Sequence, residues 1–203
     1  MRKINEIFYS LQGEGAKTGT PMVFVRFSGC NPRCPFCDTQ HNDGAEMSDD
    51  EIVAEVMRYP QSRWIVLTGG EPSLWIDDDF VGMLKERTGK HIAIETNGTR
   101  PLPQGIDWVT VSPKGGMDPH LATPLSGLEV ERADEIKVVD IGQDLEPYFN
   151  MPCRVEATVM CLQPCHVSDE EESRRNTART VARVERDPRW RLSLQTHRYL
   201  NIR

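Results

Sequence analysis

Three cysteines lie within eight residues of the chain, and their spacing limits its chemistry more than any other feature. Cys30, Cys34 and Cys37 follow the pattern C-x3-C-x2-C. Three thiolates on one short loop suit an iron–sulfur cluster, because all three sulfurs can reach one inorganic core. Pro32 and Pro35 keep the loop out of regular helix, since proline lacks an N–H and restricts the residue before it. Three protein ligands leave one iron of a four-iron cluster open, so we expect a catalytic cluster.

The same loop is compatible with a structural zinc site. Zinc needs a fourth ligand, and His41 completes the string C-x3-C-x2-C-x3-H. The six cysteines could also form a disulfide framework. The chain begins without the apolar run of a secretory signal, and no stretch is long enough to span a membrane. We therefore expect metal binding in the reducing cytoplasm and no membrane partner.

The composition is that of an ordinary globular domain. With 203 residues, 38% of them hydrophobic and 27% charged, the chain can build one proper core, and we expect a single domain over residues 1–203. A net charge of −7 argues against a nucleic-acid partner, which would require clustered lysine and arginine. The arginines between residues 174 and 186 have acidic residues interleaved, which favours a solvated helix face.

Alternating apolar residues and turn signals predict a chain of strands with a few helices. Strands are expected at residues 23–28, 64–68, 91–96, 108–112, 135–139, 154–160 and 191–196. Helices are expected to begin at two capping boxes, residues 48–51 and 168–171, and at residue 77, with a short helix at 143–149. The expected buried positions are Ile52, Val53, Val56 and Met57 in the first helix, Phe80, Val81 and Leu84 in the second, and Val155, Ala157 and Val159 on one face of their strand; Leu192 and Leu194 share a face of the last.

This pattern predicts an α/β fold with a largely parallel sheet. A full eight-unit barrel takes about 250 residues, so we expect a shortened, open (β/α) partial barrel. Several strands carry a polar face where a doubly covered strand should be apolar. The residues expected to line a wet lumen are Arg26, Glu95, Lys137, Glu156 and Gln195. Alternatively, some of these strands are sheet edges exposed to water.

A Gly-Gly-Glu-Pro run at residues 69–72 follows one predicted strand directly. Barrel active sites lie at the carboxyl ends of strands, and glycines there let the backbone approach a ligand closely. Together with the cysteine loop, which has Phe36 before its last cysteine, this run resembles the radical S-adenosylmethionine (SAM) superfamily. The resemblance implies a partial barrel, a [4Fe-4S] cluster held by Cys30, Cys34 and Cys37, and SAM bound at the open iron and cleaved to a 5′-deoxyadenosyl radical.

Further motifs narrow the resemblance to the 7-carboxy-7-deazaguanine synthase family, over essentially the whole chain. These motifs lie at residues 4–8, 11–15, 37–39, 68–72, 94–99, 108–114 and 195–202. The family reaction contracts the ring of 6-carboxy-5,6,7,8-tetrahydropterin to 7-carboxy-7-deazaguanine with loss of ammonia, on the pathway to queuosine and other 7-deazapurines. The resemblance implies that the cofactor carries the radical chemistry, so that no side chain is a classical catalytic acid or base.

The resemblance also implies the residues of the site. The residues implied to contact the pterin are Leu11, Gln12, Gly13, Glu14, Arg26, Thr68, His197 and Arg203, the last through its terminal carboxylate. Arginine suits the substrate carboxylate, because its planar fork donates two parallel hydrogen bonds. SAM is implied to contact Gly70, Ser112, Pro113 and Lys114. Thr39 is implied to bind Mg²⁺ with the substrate, since a hydroxyl oxygen is a suitable hard ligand; a hydrogen bond that stabilises the loop is the alternative.

The resemblance implies a homodimer and an electron-donor protein for the cluster. One rival is an activase that makes a glycyl radical on a partner protein, and another is a small zinc-binding interaction module. Cys153, Cys161 and Cys165, with His166 adjacent, could form a second metal site. Because Cys161 is expected on the apolar face of its strand, a buried free cysteine is the preferred interpretation.

Overall fold

The structure is a computed structural model that describes residues 1–32, 34, 37, 43–114 and 127–203. In these residues it contains one nine-stranded sheet and four α-helices. The strands are β1 (Arg2–Leu11), β2 (Pro21–Phe27), β3 (Ala45–Met47), β4 (Trp64–Gly69), β5 (His91–Thr96), β6 (Trp108–Val111), β7 (Ala133–Asp140), β8 (Arg154–Pro164) and β9 (Arg191–Leu192). The helices are α1 (Asp49–Met57), α2 (Asp78–Thr88), α3 (Glu170–Arg186) and α4 (Thr196–Leu200).

The sheet order is β3-β1-β2-β4-β5-β6-β7-β8-β9. From β2 to β9 every neighbouring pair is parallel, whereas β1 is antiparallel to both β2 and β3. Because β3 and β9 are the two ends of the order, the sheet is open. This confirms the expected α/β partial barrel. Strands β1 and β3 were not predicted from the sequence, and the burial of β1 does not alternate strictly.

The two faces of the sheet have different chemistry. Val23, Val25 and Phe27 of β2 pack into the main core with residues of α1 and α2, as their alternation predicts. On the opposite face a smaller apolar cluster surrounds Phe24 at the amino ends of the strands. Arg26 lies on the same face of β2, two residues closer to the carboxyl end of the strand. The inner face of the open barrel is thus apolar at the bottom and polar at the top.

Helices α1 and α2 begin where the sequence predicts, and α2 ends at a glycine. Ser48 and Glu51 form the expected capping box of α1, and Gly89 ends α2 with φ of +66°. One buried position was predicted wrongly: Met57 is 44% exposed. It is the last residue of α1, and it lies about 100° around the helix from buried Val56.

Helix α3 begins one residue later than its predicted capping box requires. The cap is Asp169, whose side chain accepts a hydrogen bond from the main-chain N–H of Glu172. Serine and aspartate are both good caps, so neighbouring residues compete for the position. The helix face is also less solvated than predicted, because Arg179 and Arg183 both pair with the buried carboxylate of Asp140, Arg183 at 2.6 Å.

Strand β8 departs from its predicted alternation. Its pairing with β7 is irregular between Ala133 and Glu135, where four residues of β8 lie opposite one residue of β7. Thr158 is therefore buried, and its hydroxyl donates to the carbonyl of Ala133 at 2.6 Å. Val155, predicted to face the core, is 46% exposed. Glu156 is exposed as well, so its predicted place in the lumen is wrong.

The end of the chain leaves the sheet earlier than predicted. Strand β9 has two residues, and Leu192 is 39% exposed. The main chain then turns toward the β1–β2 connection, where the N–H of Thr196 donates to the carbonyl of Gly13 at 2.9 Å. The expected short helix near residue 146 is a 3-10 helix, Glu146–Asn150. No helix in the described ranges combines the length and apolar character needed to cross a membrane.

We expect Ile52→Ala to lower the free energy of unfolding by about 2–5 kcal/mol, because it leaves a cavity between α1 and the sheet. Met57→Ala, in the same helix but largely exposed, should change it by less than about 0.5 kcal/mol. Urea unfolding followed by circular dichroism measures both values. Equal losses in the two variants would contradict the burial described for α1.

Candidate active site

A cavity of about 590 Å³ opens at the carboxyl ends of the parallel strands. The predicted site residues that line it are Leu11, Gln12, Gly13, Glu14, Arg26, Cys30, Cys34, Cys37, Thr68, Gly70, Ser112, Lys114, His197 and Arg203. Pro113 lies between two lining residues but is itself buried and outside the lining. Thr39 and His41 fall outside the described residues, so the structure places neither the expected magnesium ligand nor the alternative zinc ligand.

The three cysteines of the loop share this cavity. Burial, together with smaller contributions from the charges of Glu71, Cys34 and Cys37, raises the pKa of the Cys30 thiol to about 12. In the described ranges, no three histidine, cysteine or acidic side chains are grouped to hold a single metal ion. A four-iron cluster needs no such convergence, since each cysteine sulfur binds a different iron. The donor set therefore fits a [4Fe-4S] cluster better than a mononuclear zinc site within these residues.

The backbone at the end of β4 touches the backbone that leads into the cysteine loop. Gly70 donates its N–H to the carbonyl of Phe27 at 3.0 Å, and Glu71 donates to Gly29 at 2.9 Å. A Cβ on Gly70 would lie 2.0 Å from the Gly29 oxygen. Gly69 has φ of +119°, in the region that favours glycine. The two glycines therefore permit an approach that sets the cysteine loop beside the end of β4.

Glu71 is a structural anchor that the sequence analysis had not singled out. Its carboxylate is fully buried and accepts from Thr96 Oγ1 at 2.7 Å and from the N–H of Asn97 at 2.7 Å. Asn97 in turn donates to Asn31 Oδ1 at 2.8 Å. This chain of hydrogen bonds joins the end of β5 to the cysteine loop. Glu71 and Asn97 belong to two of the quoted motifs, residues 69–72 and 94–99, and this was the only sequence signal that could have suggested the contact.

Ser112 and Lys114 follow β6 and face the same cavity. Lys114 Nζ donates to Ser112 Oγ at 2.8 Å. Burial lowers the pKa of Lys114, while the neighbouring Cys34 raises it. The segment therefore brings a cationic side chain and a hydroxyl to the cysteine side of the cavity.

A cationic corner lies on the β1 side of the cavity. Arg26 Nε donates to Glu6 Oε1 at 2.9 Å, and the Arg203 side chain also pairs with Glu6. Ser10 donates its hydroxyl to the main-chain oxygen of Arg203 at 2.5 Å. Glu6 accepts a hydrogen bond from Nε of Arg26. A bidentate pair with a second carboxylate can use the two terminal nitrogens of the same guanidinium.

The C-terminal segment closes over the β1–β2 connection. Thr196 contacts Gly13 as described, and Gln195 Nε2 donates to Glu14 Oε1 at 2.8 Å. A Cβ on Gly13 would lie 2.2 Å from His197 Nδ1. The two ends of the sequence therefore meet at one wall of the cavity, and the glycine is needed because the imidazole packs directly against it.

Charged side chains form the floor. Lys137 Nζ contacts Glu14 Oε2 at 2.5 Å and Glu95 Oε1 at 3.1 Å. Glu95 also accepts from Thr68 Oγ1 at 2.8 Å and from Gln12 Nε2 at 3.2 Å. The expected lumen residues Arg26, Glu95, Lys137 and Gln195 all line the cavity. Alternation therefore predicted Arg26, Glu95 and Lys137 correctly, whereas Gln195 reaches the cavity from beyond the end of β9.

The late cysteines are dispersed around the barrel. Cys153 is buried in the main core, whereas Cys165 and His166 line the cavity. Cys161 does not lie on an apolar face as predicted: burial and the adjacent Glu135 raise its pKa to about 12. The irregular pairing of β8 accounts for this difference, because it resets which residues face inward.

A model of the radical SAM superfamily matches residues 24–132, which is more than half of the chain and includes the cysteine loop. The chain belongs to the radical SAM superfamily. Membership implies a [4Fe-4S] cluster and SAM as cofactors, in agreement with the donor set at the cavity.

Individual relatives define the family within the superfamily. A 7-carboxy-7-deazaguanine synthase of Bacteroides thetaiotaomicron is 57% identical over 203 residues, covering 100% of both chains. The protein of that name in Bradyrhizobium diazoefficiens is 38% identical, covering 98% of each. The crystal structure of QueE from Escherichia coli matches with a TM-score of 0.69 and 30% identity, over 95% of this chain and 93% of that one. The family is that of the 7-carboxy-7-deazaguanine synthases.

We expect Gly70→Ala to lose SAM binding, because its Cβ would collide with the Gly29 carbonyl and separate the cysteine loop from the end of β4. Electron paramagnetic resonance of the reduced cluster, with and without SAM, measures the binding. Gly82→Ala is the control: nothing lies within 4 Å of its Cβ, and the variant should respond as the wild type does. A normal SAM response in Gly70→Ala would show that the close approach is dispensable.

Proposed function

We propose that this chain converts 6-carboxy-5,6,7,8-tetrahydropterin to 7-carboxy-7-deazaguanine with loss of ammonia, in the biosynthesis of queuosine and other 7-deazapurines. The full-length similarity to a synthase of that name, at 57% identity, carries the proposal. The cavity supports it, because the cysteine loop and a pocket with both acidic and basic walls are continuous.

The cysteine side of the cavity binds the cofactors in this proposal. Cys30, Cys34 and Cys37 hold the cluster, and Gly70 and residues 112–114 bind SAM. Together the bound cofactors supply the radical that begins the reaction. The protein positions the reactants and shields them from water. Residues 1–203 act as a single radical SAM domain.

The opposite side binds the pterin. The substrate carboxylate pairs with Arg26, whose fork can donate two hydrogen bonds. Residues 11–14, Thr68, His197 and Arg203 surround the ring. Thr39 ligates a Mg²⁺ ion that also contacts the substrate, because hydroxyl oxygen suits this hard cation. An electron-donor protein reduces the cluster, and the chain works as a homodimer.

The decisive experiment is turnover by the purified protein without any partner protein. Chemically reduced protein with SAM and Mg²⁺ should convert the carboxytetrahydropterin to 7-carboxy-7-deazaguanine, detected by mass spectrometry. No product from cluster-loaded protein would contradict the proposal and favour an activase that needs a protein substrate. Zinc without iron or sulfide after anaerobic purification would instead favour a zinc-binding interaction module.

We expect Ala at Cys30, Cys34 or Cys37 to abolish both cluster and activity, because each variant loses a cluster ligand. Cys153→Ala should retain both, since Cys153 lies in the core and outside the cavity lining. Iron and sulfide analysis and the turnover assay measure the two properties. Loss of the cluster in Cys153→Ala would show that the late cysteines contribute to it.

We expect Thr39→Ala to weaken the dependence of the rate on Mg²⁺, because it removes the proposed oxygen ligand. The measurement is the turnover rate across a Mg²⁺ titration, with cluster content checked in parallel. If both the Mg²⁺ dependence and the rate match those of the wild type, Thr39 is not a ligand.

A further inference from the structure

Lys137 has the environment of a residue that organises other side chains. It is 6% exposed, and it bridges Glu14 of the β1–β2 connection and Glu95 of β5. Burial alone would lower its pKa, but the charges of Glu14, Glu95 and Glu135 raise it well above its ordinary value. Lys137 is therefore a cation between carboxylates. None of the roles assigned to residues of the site so far includes it.

The two glutamates keep hydrogen-bonding capacity after these contacts. Glu14 accepts from Lys137 and Gln195, and Glu95 accepts from Lys137, Gln12 and Thr68. Each ionised carboxylate has about four lone-pair sites. Both side chains line the cavity. The floor can therefore accept further N–H groups from a bound molecule.

This capacity depends on the lysine charge. Two carboxylates that share a site without a cation do not both stay ionised; one of them takes up a proton. A protonated carboxyl is a donor as well as an acceptor. Arg26 also favours the ionised form of Glu95, but Lys137 is the cation that contacts both carboxylates, so without it the floor would lose its pure acceptor character.

We propose that Lys137 is a positioning residue that keeps Glu14 and Glu95 as hydrogen-bond acceptors, and that this acceptor floor selects a ring whose edge carries N–H donors. The inference rests on the proposed function, in which the substrate is a pterin. The pyrimidine ring of a pterin presents a 2-amino group and an N3–H on one edge. A lumazine has a carbonyl oxygen in place of the 2-amino group, and two facing acceptors repel each other.

The test compares binding of 6-carboxypterin and 6-carboxylumazine by isothermal titration calorimetry. The protein is cluster-loaded and SAM-bound in every case. The wild type should bind the pterin about tenfold or more tightly than the lumazine, because a hydrogen bond to a charged group is lost. In Lys137→Met this preference should fall to about threefold or less, and pterin affinity should drop about tenfold.

Lys90→Met is the matched control. Lys90 is also 6% exposed, but it donates to the main-chain carbonyls of Tyr59 and Ser62 and lies outside the cavity lining. Losing it removes a buried lysine without touching the floor, so the preference for pterin should match that of the wild type. Lys137→Gln, which keeps N–H donors but not the charge, carries the same test if Lys137→Met fails to fold.

The outcomes separate the two proposals. A wild type that binds 6-carboxypterin with the expected preference, and a folded Lys137 variant that keeps both affinity and preference, would overturn the role of Lys137 alone. A wild type that binds neither compound would overturn the pterin proposal and this inference with it. If Lys90→Met loses the preference for pterin as Lys137→Met does, the loss reflects general destabilisation. That result would also overturn the role proposed for Lys137.

Discussion

The site depends on one backbone contact, the approach of the end of β4 to the chain that leaves β2. Strands β2 and β4 are parallel neighbours, so their carboxyl ends come together in any sheet of this order. Only a residue without a side chain allows the carbonyl of Gly29 to lie where a Cβ of Gly70 would stand. Through this contact the cysteine loop begins beside the proposed SAM-binding segment, and the buried carboxylate of Glu71 holds the end of β5 in the same assembly.

The sheet does not close into a complete barrel, so contacts outside the sheet complete the wall of the cavity. Strands β3 and β9 remain at the ends of the sheet order. Hydrogen bonds from residues 195–196 to Gly13 and Glu14 instead join the last part of the chain to the β1–β2 connection. Lys137 connects strand β7 to this wall through its contact with Glu14. Burying its ammonium costs desolvation energy, and the neighbouring carboxylates offset that cost.

The wrong predictions for strands β8 and β9 have a common physical origin. Alternation assumes regular pairing, but β8 carries extra residues opposite Ala133 and Glu135, which displaces Val155 and Glu156 outward and Cys161 inward. The last strand was predicted too long, since Ser193 is the last residue whose N–H is seen to donate to β8, at Leu162, and Thr196 donates to Gly13 instead. In each case a partner distant in sequence overrode a local pattern.

The sequence by itself determined the cysteine spacing, the helix caps at Ser48, Asp77 and Gly89, the largely parallel α/β class and much of the polar inner face, because these follow from patterns of residues close along the chain. It also carried the motifs that define the family. Only the tertiary structure decided that Glu71 anchors β5, that Asp140 binds two arginines of α3, and that Lys137 lies between Glu14 and Glu95. Those pairings join residues 25 to 123 positions apart, and no local pattern specifies which charge will find which partner.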